Sequence, residues 1–571
     1  MHSNCPLSQK YTIPFGSLLN SEAALHTPMV LPEDYYLTNF QRLLGFVEQQ
    51  YADLLSCRET AFLNTFRRLE EDAQKLYVRL VGRKGPMFRW DKLNYPEIAS
   101  IELAVNELVG TGLMQVNPPL DLVAVSDLMT KSELLCCFPD QLGPYRSERK
   151  QALVNRLVDS GKPCPDLPFT ILQPLCREEL RTLLFLFFGN LSQDLTEFVL
   201  QDLGLNRFES YPLNSRLFDS REELEQGLSL SLLWQEVARD NKKLDLDELQ
   251  ALAAKLPPSS DFSHPTLKRR YARLVNAIAR DLERQGALRE AVASFQQSYL
   301  PPSRERRARI LAKLNDTAGA LALCEEIQAS PASSLEMAFA HRFAKTLKGE
   351  KRRRQTAPFN QRTLELNDNG QRVEFQVQAH FKDQGWQVFY VENALINGLA
   401  GLWFWDIIFA DREGAFFHPF QSGPADLMTP DFYRSCKDLI HHRLAEMSES
   451  NLLDTLLATY NGKQGISNRL VIWPALSPGL ITLAVSLIPI EQLRAMFQRL
   501  MFDIAHNRTG FPDLILFDPA NNRYQWLEVK GPGDRLQENQ KLWLAFFQEN
   551  GIPAEVVYVR WAADRTQLNI K

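Results

Sequence analysis

The sequence predicts a multidomain, mainly α chain that ends in an α/β layer. The chain has 571 residues, 45% of them hydrophobic, which at roughly 100–200 residues per domain is material for several cores. Apolar residues recur at helical spacing over most of the first 370 positions. After about 371, short β-rich runs, turn residues and a helical stretch follow as strand, strand, helix, strand, the order of an α/β layer. These changes of texture divide the chain at 1–165, 166–370 and 371–571.

Residues 1–165 read as helical, with a break near 82–86. Across that break "LYVRLVGRKGPMFRWDKLNY" interleaves Tyr77, Phe88, Trp90 and Tyr95 with Arg79, Arg83, Lys84, Arg89 and Lys92. Cations bind phosphates and rings pack against sugars or bases, so Arg79, Arg83, Lys84 and Arg89 are candidate DNA contacts. An amphipathic segment with its aromatic side buried explains the pattern equally well. "DLMTKSELLCCF" and "YRSERKQALVNRL" read as a pair of short amphipathic helices.

Residues 166–370 read as helix after helix. "ALREAVASFQQS" and "DTAGALALCEEI" place Ala291 and Ala320 at matching positions 29 residues apart, as in stacked helix pairs. Pro301-Pro302 and Pro331 punctuate the hairpins. Charge is uneven. Net charge is −5, yet 262–354 carries 19 Lys or Arg against 9 Asp or Glu. Lys268-Arg269-Arg270 is one basic run of this stretch, Arg304, Arg306, Arg307 and Arg309 open one of its helices, and 351–354 is a third run that also resembles a weak nuclear-import signal. A solvated face accounts for any one cluster. Several in one acidic chain favour a polyanionic partner.

No apolar run is long and unbroken enough to span a membrane, and "MHSNCPLSQK" lacks the pattern of a secretory signal. Eight cysteines without a C-x-x-C indicate neither a zinc module nor a disulfide scaffold, and an intracellular setting is expected.

From 371, "VEFQVQAHFKDQGW" reads as a helix, "QVFYVE" as a strand and "NALINGLAGLWFWDIIF" as a buried helix. "GFPDLILFDPANNRYQWLEVKGPGDRL" then forms a predicted hairpin, with a helix at about 535–548 and a strand at 554–559 after it. The hairpin brings Asp513, at the start of one strand, beside Glu528, near the end of the next. Glu528 and Lys530 share a face, and Val529 between them turns its side chain to the core and leaves its carbonyl near the same edge. Two carboxylates and a main-chain oxygen suit a hard cation, Mg²⁺ or Mn²⁺. Lys530 is placed to orient or deprotonate a water. Pro-Asp and Glu-x-Lys are each common by chance. It is their order, spacing and flanking strands together that favour the metal site.

The pattern Gly510-x-Pro512-Asp513-Leu514, then Glu528-Val529-Lys530-Gly531-Pro532, with Asp534-Arg535-Leu536 and Gln540-x-x-Trp543, resembles the VRR-NUC branch of the PD-(D/E)xK nucleases. "EVKGPGDRLQENQKLWL" and "VENALINGLAGLWFWDIIF" are similar to the Fanconi-associated nuclease family. "LYVRLVGRKGPMFRWDKLNYPEIASIELAVNELVGTGLM" looks like that family's N-terminal DNA-binding region with a SAP-type module, and the helical middle like its TPR-like domain. The resemblance implies an N-terminal helical DNA-binding region, a TPR-like domain and a C-terminal PD-(D/E)xK nuclease domain.

It further implies Asp513, Glu528, Glu392 and the Val529 carbonyl as metal ligands, Lys530 as the catalytic lysine and Gln540 as support from the helix. Asp406 is the next candidate should Glu392 not ligate. Arg508 is a candidate phosphate contact or an ordinary loop arginine. The implied activity is that of a 5′-flap endonuclease with 5′-to-3′ exonuclease activity, acting on branched or flapped double-stranded DNA in repair, including interstrand crosslink repair. Three readings stay open beside it: a related-fold nuclease for Holliday junctions, one for RNA, or a non-catalytic helical scaffold. No Cys/His pattern matches the ubiquitin-binding zinc finger of vertebrate members, which implies a bacterial or reduced member. The end reads Val559-Arg560-Trp561, so one arginine stands where the name VRR has two.

Overall fold

The computed structural model describes residues 31–119, 122–160, 167–238, 244–262, 264–350 and 359–562. The basic run at 351–354 lies outside them. Helices dominate as far as 347, and most of their starts are explained by local chemistry. Ser56 with Glu59, Thr130 with Glu133, and Asp245 with Glu248 form reciprocal capping boxes. The longest helix of the middle region, Pro265–Arg284, buries Leu267, Tyr271, Leu274, Ile278 and Leu282 at spacings of three and four.

Three short strands interrupt the first helices: β1 (Phe88–Arg89), β2 (Met114–Val116) and β3 (Ile171–Pro174). β3 lies between the other two and is antiparallel to both. Residues 171–174 therefore belong with the N-terminal region, past the boundary expected at 165. A small separate core, including Val125, Leu134, Leu142, Leu153 and Phe169, lies between β2 and β3 in sequence. The main helical core is continuous from Tyr36 to Ile310 and so crosses the same boundary.

The middle region stacks the helices Leu288–Gln296, Ser303–Lys313, Thr317–Ala329 and Ser334–Leu347. Ala291 and Ala320 are fully buried, as expected of matching positions where helices meet. Arg342, on the last of these helices, forms an ion pair with Glu538 in the nuclease region.

The C-terminal sheet has five strands: β4 (Asn360–Leu366), β5 (Gln387–Tyr390), β6 (Leu514–Asp518), β7 (Arg523–Lys530) and β8 (Ala554–Trp561). Their order is β4-β8-β7-β6-β5, with β4 and β7 parallel to β8, and β6 antiparallel to both neighbours. β4 precedes the boundary expected at 371, so the layer takes its edge strand from residues assigned to the helical middle. Leu514 and Leu516 pack with Val377 and Phe381 on one face, while Ile515 and Phe517 join a second core on the other. Cover on both faces explains why these strands read as unbroken apolar runs.

"NALINGLAGLWFWDIIF" forms two helices rather than one. Leu395–Trp403 is buried at all nine positions, and Trp405–Ile408 follows after a break at Phe404. The break lets Trp405 donate its indole N–H to Glu209 of the helical middle, at 2.7 Å. Among the described residues no single helix is long and apolar enough to cross a membrane.

Candidate functional site

Leu514 pairs with Leu527. Asp513, one residue before, and Glu528, one after, therefore meet at the open end of the β6–β7 hairpin. Asp513 is 7% exposed and Glu528 fully buried. The Val529 N–H donates to Asp513 Oδ2 at 2.8 Å. Lys530 Nζ lies 2.7 Å from Glu528 Oε1. Lys530 is the one cation on this carboxylate among the described residues, and Glu528 Oε2 has no hydrogen-bond partner there.

Buried charge without such partners is costly. Burial, reinforced by Asp513, pushes the Glu528 carboxyl up to about 8. Burial also pushes Asp513 up to about 7, where the Val529 N–H opposes the rise and Glu392 and Glu374 add to it. Burial works against the Lys530 ammonium, but Glu528 and Asp513 outweigh it and hold its pKa above the ordinary lysine value. The unpartnered Glu528 Oε2, the raised carboxyls and their hard-donor chemistry fit a divalent cation.

The loop into β6 is held from two sides. Gly510 has φ +95°, and a Cβ there would meet the backbone of Asn539 at 2.7 Å. Phe511 lies on Trp543, with ring centroids 4.0 Å apart, and Trp543 Nε1 donates to the Asn507 carbonyl at 3.1 Å. The opposite side is sewn to the segment before the buried helix. Asn397 Nδ2 donates to the Arg508 carbonyl at 2.7 Å, the Phe511 N–H donates to Asn393 Oδ1 at 3.1 Å, and the Val391 N–H donates to the Asp513 carbonyl at 2.9 Å.

The last bond brings Glu392 beside Asp513, close enough to raise both buried carboxyls. Glu392 does not open the buried helix, as expected from sequence. It is exposed, in the turn three residues before that helix begins. The reason is Asn393, whose left-handed φ of +54° turns the chain and delays the helix to Leu395. Asp406 is tied to Arg443 and stands apart from this group. Gln540 is buried, but its side chain forms a capping box with Gln537 and starts the helix Glu538–Glu549. Among the described residues no three Asp, Glu, His or Cys side chains are gathered as a ready metal cage. Glu528 rests on Lys530, and Glu392 on Tyr390.

Comparison with known proteins completes the picture. The VRR-NUC domain family matches residues 447–561, and the family described as "FAN1, HTH domain" matches residues 34–115. The Fanconi-associated nuclease 1 homolog of Pseudomonas aeruginosa is 38% identical over 552 residues, which cover 94% of this chain and 97% of that one. The chain belongs to the Fanconi-associated nuclease family. The human Fanconi-associated nuclease 1 is 25% identical, over 92% of this chain and 62% of its own length. The crystal structure of paFAN1 bound to 2nt 5′flap DNA with gap superimposes with a TM-score of 0.88 at 37% identity, covering 94% of this chain and all of that one. This chain is thus a structure-specific DNA nuclease. The stretch read as a DNA-binding region with a SAP-type module, residues 76–114, falls wholly within the HTH match.

Several arginines expected on DNA form ion pairs within the protein. Arg89 is buried, bonded to Asp91 and Glu133 at 2.7 and 2.6 Å, and stacked 3.8 Å over Phe169. It ties β1 to the small core that follows. Arg79 holds Glu97 and lies 3.8 Å over Tyr36. Arg304 is held by Glu336 and Glu326, Arg306 by Glu283, and Arg309 by Glu305, with the Arg309 guanidinium 4.5 Å over the Phe339 ring. Apart from Asp91 and Glu305, these acids lie 18 to 44 residues from their arginines, so a net count that includes acids does not show which arginines they hold. Arg83, Lys84 and Arg508 are exposed, and Arg307 faces a cleft with its Nε unpartnered.

A second set joins Arg269 and Arg270, from a basic run noted in the sequence, to Arg273 and Arg469, which were not singled out there. Arg269, Arg270, Arg273 and Arg469 line a cavity of about 640 Å³ between the middle region and the 417–425 segment. Burial, then Arg273 and Arg269, lowers Arg270 to about 10. Burial likewise lowers Arg273 and Arg469, which repel neighbouring arginines, Arg508 among them for Arg469. Cations crowded away from water favour an anion. The only sequence hint was Lys268-Arg269-Arg270, because Arg469 is nearly 200 residues away in an unremarkable loop.

Proposed function

We propose that this nuclease cleaves flapped DNA by divalent-cation-assisted hydrolysis at the Asp513–Glu528–Lys530 site. The observation that carries the reading is Glu528, fully buried beside a second buried carboxyl, with Lys530 2.7 Å from Oε1 and no hydrogen-bond partner at Oε2. Asp513, Glu528, the Val529 carbonyl and Glu392 would hold the ion, Mg²⁺ or Mn²⁺. When bound, such an ion supplies positive charge to a phosphate and lowers the pKa of a water.

The chain's own groups do the rest. Lys530, kept protonated by Glu528, donates to a phosphate oxygen or orients the attacking water rather than accepting a proton. The Gly531 N–H donates to Asp534 Oδ2 at 3.0 Å, which fixes the turn that follows the strand of Lys530. Arg273 and Arg469 line the cavity, and Arg508, on the loop of Asp513, is near enough to repel Arg469; together they suit the phosphates of a strand end. Gln540 supports the site through the cap that starts its helix.

The choice of a 5′ flap follows the relative crystallised on that DNA. Exonuclease activity and a role in crosslink repair come with the family resemblance. End-labelled 5′-flap, 3′-flap, four-way junction and linear DNA, incubated with the protein and Mn²⁺, test the proposal. The expected product is cleavage of the 5′ flap near its junction, abolished in Asp513→Ala. Preferential cutting of the junction, or equal cutting by Asp513→Ala, would refute it.

A further inference from the structure

Glu392 is the exposed member of the acidic group. A free carboxylate in a turn samples many rotamers, and ordering it costs conformational entropy. One neighbour limits that freedom. Tyr390, at the end of β5, donates its hydroxyl to Glu392 Oε2 at 2.5 Å. Glu392 Oε1 meets only the Asn393 amide, at a long 3.4 Å.

Tyr390 is itself fixed. It pairs across the sheet with Leu514, next to Asp513. Its ring meets Phe375 edge-on, with centroids 5.7 Å apart. Arg372 Nη2 lies 3.4 Å from the Tyr390 hydroxyl, with its guanidinium 5.4 Å from the ring centroid, and also reaches Glu374 Oε1 at 3.3 Å.

We propose that Tyr390 is a positioning residue for the cation site: it holds one oxygen of Glu392 and leaves the other turned to the ion, with Arg372 anchoring the tyrosine. The inference rests on the reading of Glu392 as a ligand. An aimed carboxylate gives up less freedom on binding the ion, so the bond adds to affinity. Loss of such an outer partner costs about 10–100-fold in metal affinity.

The experiment is calorimetric Mn²⁺ titration of the full-length, metal-free protein without DNA, for wild type, Tyr390→Phe, Glu392→Gln and the double variant. Tyr390→Phe removes one oxygen and keeps the ring, and equal urea midpoints confirm an intact fold. The expected result is about a tenfold or greater loss for Tyr390→Phe, a loss at least as large for Glu392→Gln, and a double variant no weaker than Glu392→Gln alone. A tyrosine that acts only through Glu392 must give that non-additivity. Wild-type Mn²⁺ affinity in Tyr390→Phe beside a weakened Glu392→Gln would overturn the role of Tyr390 and leave the ligand assignment standing. Additive losses would also overturn it, by showing that the hydroxyl acts elsewhere. Wild-type affinity in Glu392→Gln would remove the ligand assignment itself, and the proposal with it.

Discussion

Asp513, Glu528 and Lys530 are only legible as a group because the chain separation between them is short and a hairpin converts it into contact. Their electrostatics also separate ligand from catalyst. In the metal-free protein, Asp513 and Glu528 hold protons up to about pH 7 and 8, so an incoming cation must displace them. Mn²⁺ affinity should therefore rise as pH increases from 6 to 8, with proton release visible when the titration is repeated in buffers of different ionisation enthalpy. A pH-independent affinity would contradict the raised carboxyls. Lys530→Ala leaves the carboxylates and removes a neighbouring positive charge, so Mn²⁺ binding should persist or tighten. Cleavage should fall by about 10²–10³, the usual worth of one positioned donor to developing charge, and a variant cutting at the wild-type rate would take the lysine out of the mechanism. The DNA-contact arginines were harder to read for the opposite reason. Arg89 and Arg304 find their acids on other elements, and a basic run in sequence carries no record of such partners.

Among the elements, the strands and helices of the nuclease layer were the easiest to read, because β6, β7 and β8 have apolar runs bounded by strong turn residues such as Asp518-Pro519. The edge strand β4 was not, since "NQRTLEL" is largely exposed and joins the sheet only through β8, nearly 200 residues later. The Gly510 loop shows how an element's position depends on one residue. Its φ of +95° and its contact with Asn539 leave no place for a side chain. Gly510→Ala should push the helix Glu538–Glu549 away from the loop and displace Asp513. We expect a stability loss of about 1–3 kcal/mol, the usual cost of a strained backbone position, and a larger fractional loss of cleavage than of DNA affinity. Urea unfolding and flap cleavage on the same preparation check this. A variant with wild-type values in both would mean that the loop can move without consequence.

At the scale of the whole molecule, the expected three blocks are joined by shared cores. Phe417 and Phe420, from the nuclease region, belong to the core that begins at Tyr36. Between them His418 is 5% exposed and surrounded by Phe187, Phe188 and Phe420. Its Nδ1 accepts the Phe420 N–H at 3.2 Å, which favours the neutral ring, and burial lowers its pKa from 6.5 to about 3. On unfolding the ring returns to its ordinary value. Between about pH 6.5 and 3 the unfolded chain therefore binds the extra proton, and stability falls as pH falls through that window, by up to about 1.4 kcal/mol per unit. Asp513 and Glu528 act with the opposite sign: their raised folded values favour the folded state as pH drops from about 8 towards 4. Metal-free wild type is thus the sum of two opposed slopes. His418→Gln, which keeps an acceptor but cannot titrate, removes one of them. Urea midpoints at pH 7.5, 6.5 and 5.5 should show the variant losing less stability on acidification than wild type, with the gap between them opening only below about 6.5. Because His418 joins the nuclease region to the N-terminal core, the same difference should be seen by probes in both regions. Parallel pH profiles for the two proteins would mean that the ring is solvated and that this shared core does not hold the regions together.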